Sequence, residues 1–77
     1  MTDKEAVQLA TSIYGRKAIA NVFKYGDSEY MIKMAFDPLQ SGSPYVIIHE
    51  DGSLEHVPGL RALKLNEEDF GKPLFTS

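Results

Sequence analysis

The chain has no cysteine and no tryptophan, and its longest unbroken apolar run is the four residues Tyr45 to Ile48. Without cysteine there is no disulfide, no thiolate metal site and no cysteine nucleophile, which fits a reducing compartment and a cytoplasmic location. Four apolar residues are far short of the roughly 20 that cross a bilayer, so no membrane span is expected. The N-terminal stretch MTDKEAVQLATSIYG carries acids and a helical period, not the basic start and apolar run of a targeting segment. Catalytic and nucleotide signatures are missing too: no G-x-S-x-G, G-x-G-x-x-G, Walker loop or H-E-x-x-H occurs. No cofactor, metal ligand set or catalytic residue is therefore expected, and the chain reads as a protein that is not an enzyme.

Positive charge is also scarce. Eight Lys/Arg face eleven Asp/Glu, a net charge of −3. Residues 1–36 carry a net of +1 and residues 37–77 a net of −4. A general nucleic-acid binder normally has a basic surplus, so nucleic acid is not the expected partner. At 43% hydrophobic and 25% charged residues, the composition is that of a folded globule. Seventy-seven residues make one domain, residues 1–77, with 72–77 expected to fray unless Leu74 and Phe75 tack down on the core. Such a short chain buries only roughly 60–65% of the surface its unfolded form exposes, close to the limit for folding unaided.

What is present begins with a helix. Thr2 and Glu5 have the spacing of a capping box, in which each side chain satisfies an orphan backbone N–H. Ala6, Val7, Leu9, Ala10, Ile13 and Tyr14 recur at helical spacing, and Gly15 follows where a left-handed residue ends a helix. Next, KAIANVFKYGDSEYMIKMAF reads as a hairpin. A two- or four-residue loop after Tyr25 places Ile19, Phe23 and Tyr25 on the same face as Tyr30, Ile32, Met34 and Phe36, and the two-residue version sets Lys24 opposite Glu29. Residues 37–44, with two prolines, a glycine and two serines, form a loop.

PYVIIHEDGSLEHVP reads as a second hairpin, turning at Asp51-Gly52. An even loop sets His49 opposite Leu54 and Ile47 opposite His56, so the two histidines share a face on a diagonal of roughly 7 Å. No third ligand stands near them in this register, and zinc wants three or four, so the histidines read as structural. Tyr45-Val46-Ile47-Ile48 does not alternate as a half-wet strand should, which leaves one of its faces to be covered by something other than the first helix. The candidates are the C-terminal segment 60–75, a second copy of the chain or a partner. Further on, Arg61–Leu65 reads as a short strand, and Asn66 caps one helical turn, Glu67 to Phe70, ended by Gly71 and Pro73.

The expected fold is α+β, with the N-terminal helix packed on a four- or five-stranded antiparallel meander sheet in two layers. The expected function is a small non-enzymatic interaction or regulatory module that self-associates or docks on a larger protein. Its partner-binding residues are expected to be Tyr45, Ile47, Leu54 and His56, rimmed by Glu50, Asp51 and Glu55. The alternative is an acidic inhibitor or nucleic-acid mimic filling a basic cleft with Asp37, Glu50, Asp51, Glu55, Glu67, Glu68 and Asp69.

Overall fold

Thr2 starts the first helix, α1, which runs from Asp3 to Tyr14. Its hydroxyl accepts from the Glu5 N–H at 3.1 Å while the Glu5 carboxylate accepts from the Thr2 N–H at 3.0 Å, so the capping box forms in full. Gly15 ends the helix at φ 83°, a conformation that suits glycine. A short 3₁₀ turn, Arg16–Ala18, then leads into the sheet. The computed structural model describes residues 1–36 and 43–77; most of the loop expected over 37–44, including Asp37, lies outside the described residues.

Five antiparallel strands follow: β1 (Ile19–Tyr25), β2 (Glu29–Met34), β3 (Tyr45–Ile48), β4 (Leu54–His56) and β5 (Phe75–Thr76). Their order is β4-β3-β2-β1-β5. The first four make a meander, and the last returns to pair with the outer side of β1. The α+β fold with a helix against an antiparallel sheet is thus the one the chain adopts. The fifth strand is not where the sequence reading placed it. Arg61 and Ala62 lie in a short helix, α2 (Gly59–Ala62), and the Lys64 N–H to Arg61 O and Leu65 N–H to Ala62 O bonds extend it as turns through residue 65. The reason is spacing: Ala62 and Leu65, three apart, reach the same cluster only from a helical turn.

Both hairpin registers differ from the even loops expected. Tyr25 pairs with Glu29, leaving the three residues Gly26, Asp27 and Ser28 as the loop. A bulge between Ile19 and Asn21 restores parity, so Ile19 joins the face of Val22, Tyr30, Ile32 and Met34 while Phe23 and Tyr25 take the other. Lys24 consequently faces Tyr30, not Glu29, and its ammonium lies 3.7 Å from Asp3. Phe36 is 58% exposed and belongs to neither buried cluster.

In the second hairpin Ile48 pairs with Leu54, Ile47 with Glu55 and Val46 with His56. His49 N–H donates to Ser53 O at 2.8 Å and Gly52 N–H to His49 O at 2.9 Å. Glu50, Asp51 and Gly52 therefore form a three-residue loop, with Gly52 at φ 87° as its left-handed closing residue. The Asp-Gly pair suits either turn, and here it serves the odd one.

These registers resolve the doubly apolar strand. On one face Val46 and Ile48 join Ala6, Ala10, Ile19, Val22, Tyr30, Ile32 and Met34 beneath α1. On the other, Ile47 joins Phe23, Met31 and Val57 beneath Ala62, Leu65 and Phe70. The C-terminal segment is the cover. Phe70 is its keystone, with ring centroids 5.3 Å from Phe23, 5.7 Å from Tyr25 and 6.4 Å from Tyr45. It sits on a 3₁₀ turn, Glu67–Phe70, which Asn66 caps as expected by accepting from the Glu68 N–H at 3.1 Å.

Candidate functional site

The seven residues expected to form one binding face are distributed over three places. Ile47 is core, 1% exposed. Tyr45 is half-buried on the same side, and its hydroxyl donates to Glu67 Oε1 at 2.5 Å. Burial, and then Glu67, pushes that phenol up to about 12. Leu54 packs towards α1, and His56, two residues along the strand, is exposed. Glu50 and Asp51 project at the loop, where Asp51 accepts from both the N–H and the hydroxyl of Ser53 at 2.9 and 2.6 Å.

The histidines do not share a face, which removes the diagonal pair expected from the even loop. Among the described residues no group of three or more His, Asp or Glu side chains is arranged to hold a metal ion. His49 instead meets two carboxylates. Its Nδ1 contacts Glu29 Oε2 and its Nε2 lies 2.8 Å from Glu55 Oε1. The other Glu55 oxygen accepts from Arg61 Nη1 at 3.0 Å. The chain Glu29–His49–Glu55–Arg61 thus links β2, the β3–β4 loop, β4 and α2. It borders a cleft of about 540 Å³ at the end of the sheet, lined by Asp27, Ser28, Glu29, His49, Glu50, Asp51 and Ser53.

The Glu29–His49 contact escaped the sequence reading because it is a cross-strand relationship. Tyr30 pairs with Ile48, so the residues just beyond them, Glu29 and His49, come face to face. Opposite charge on two residues 20 apart is a signal only once that register is known. Both ring nitrogens are occupied by carboxylates, so His49 does not stand as a free base beside Ser28 or Ser53.

A second feature lies on α2. Ala62 and Leu65 turn inward, which leaves Leu60 and Leu63 outward, each 82% exposed. With Pro58, Arg61 and Lys64 they line a shallow hollow of about 580 Å³. Lys64 makes no ion pair among the described residues. The chain matches no protein-family model, no curated protein and no solved structure. No helix among the described residues is long and apolar enough to cross a membrane.

Proposed function

We propose that this chain is a small, non-enzymatic interaction module that docks on a larger protein through Leu60 and Leu63. One observation carries the reading: both sheet faces are filled by the chain's own residues, yet two leucines one helical turn apart stand 82% exposed. Self-association across the second face of Tyr45–Ile48 loses its support, because Val57, Ala62, Leu65 and Phe70 occupy that face. Arg61 is paired with Glu55, but Lys64 beside the leucines makes no ion pair among the described residues, so a symmetric contact between two copies would set it near its like. The fitting partner has an apolar groove or helix face rimmed by acids.

The acidic-inhibitor alternative is weaker. Glu55 is engaged by His49 and Arg61, and Glu67 by Lys33 at 2.6 Å, so two of its acids are already balanced. Glu50 and Asp51 stand on the β3–β4 loop, apart in the chain from Glu68 and Asp69 on the 3₁₀ turn.

An NMR titration with an amphipathic helical peptide of Leu and Glu tests this reading, with a Leu and Lys peptide as control. The expected result is shift changes at Leu60, Leu63 and Lys64 with the acidic peptide alone, and their loss in Leu60→Ser/Leu63→Ser. Changes confined to the acidic loops with the basic peptide would replace this reading with the inhibitor. Light scattering that finds a dimer abolished by the same double substitution would replace it with self-association.

A further inference from the structure

We propose that His49 is a proton-operated latch that closes the end of the sheet, tying β2 to β4 across the strand between them. The latch involves neither Leu60 nor Leu63, and it stands or falls separately from the docking reading.

The geometry requires a charged ring. Carboxylates only accept, and one faces each ring nitrogen: Glu29 at Nδ1 and Glu55 at Nε2. Only the imidazolium donates at both nitrogens at once, so both bonds exist together only while His49 is protonated. The side chain is 33% exposed, which lets protons exchange with solvent.

The charges around it favour that state. Glu29 faces it from β2 and Glu55 from β4; Glu50 and Asp51 belong to its own loop, and Asp27 lines the same cleft from the β1–β2 loop. Arg61, reaching from α2 to the far oxygen of Glu55, is the one opposing cation in the chain of contacts. Hydrogen bonds first to Glu29 and then to Glu55 hold His49 above the ordinary histidine value, against the smaller effect of burial.

Loss of the proton undoes one of the two bonds and turns that same contact repulsive. The neutral ring keeps a single N–H, so one carboxylate then meets a nitrogen lone pair. A negative charge is uncovered in a cleft that already holds Asp27, Glu50 and Asp51. The tie between β2 and β4 is then broken and the β3–β4 loop loosens, while the Glu55–Arg61 bond keeps α2 in place.

The test follows the imidazole nitrogens and loop amides of the intact protein by NMR, from about pH 5 to about pH 9. His49 is expected to titrate above the unfolded histidine value. Glu29→Gln and Glu55→Gln should each lower the midpoint by roughly half a unit or more, whereas Arg61→Gln should raise it. The His49 and Gly52 amides, whose bonds close the loop, should exchange about tenfold faster above the midpoint once intrinsic base catalysis is divided out. In His49→Gln that extra step should vanish. A midpoint at or below the unfolded value, a midpoint unmoved by both carboxylate substitutions, or loop exchange that is flat through the transition would each overturn the latch. The wild-type titration decides the matter even if a variant fails to fold.

Discussion

The Tyr45 hydroxyl donates to Glu67 Oε1 at 2.5 Å, joining the first residue of β3 to the 3₁₀ turn that lies over the second sheet face. Lys33 reaches the same carboxylate oxygen at 2.6 Å from β2. Glu67 is held below its ordinary value first by the Lys33 bond and then by Tyr45. Removing the hydroxyl with Tyr45→Phe should cost about 1 kcal/mol in urea unfolding, with the slope of the transition unchanged. Amide exchange should quicken over 66–70 more than in α1. A uniform change across the molecule would show that the bond does not specifically hold the cover.

Phe70 sets its ring against those of Phe23, Tyr25 and Tyr45. Phe70→Ala is expected to destabilise by about 2–3 kcal/mol, below the fully buried range because the ring is half-buried. It should also raise binding of a hydrophobic dye, since Met31 and Ile47 lose part of their roof. Full stability and no dye response in this variant would mean that the second face is covered by something else.

The orientation of α2 predicts a contrast between neighbours. Leu60→Ser and Leu63→Ser should each change stability by less than about 0.5 kcal/mol, whereas Leu65→Ala should cost about 2 kcal/mol. Leu65 packs against the second cluster and the other two do not. Equal costs at all three positions would refute this placement of the helix.

Stability should pass through a window in pH. His49 is raised above its ordinary 6.5, so its contribution is fully present below that value and is lost as pH rises through the folded-state midpoint. Glu55 is lowered from 4.5, first by the His49 bond and further by Arg61, so its contribution is present above 4.5 and is lost as pH falls. Both are therefore in force together between about pH 4.5 and about pH 6.5. Urea midpoints of the wild type and His49→Gln should differ most in that interval and converge in mild alkali. A difference that grows with alkalinity would contradict the assigned charge of His49.

The local features were legible because their physics is local. The Thr2–Glu5 box and the Asn66 cap each join a side chain to a backbone no more than three residues away, so the residue types alone announce them. The pairing parity was not legible. The three-residue loop after Tyr25 moves Phe23 and Tyr25 to the second face, and the bulge after Ile19 keeps Ile19 on the first, yet no glycine or proline marks that bulge. Asp51-Gly52 fits two hairpin loops of opposite parity, and the choice moved His56 away from His49 and brought Glu55 to it. Leu60, Leu63 and Leu65 were ambiguous because helix and strand periods cannot be told apart over six residues.

The strand order also decides what this chain does not stick to. β1 is seven residues long and would, uncovered, offer a long row of unpaired N–H and C=O groups to any passing strand. β5 takes up part of that row through the Leu74 N–H to Val22 O bond at 2.6 Å and the Ser77 N–H to Ala20 O bond at 3.1 Å. The sheet consequently ends in strands of three and two residues, too short to template a neighbour. Residues 74–77 thus cover part of the long β1 edge, and a chain clipped before Leu74 should form fibres or precipitate long before it loses its helix.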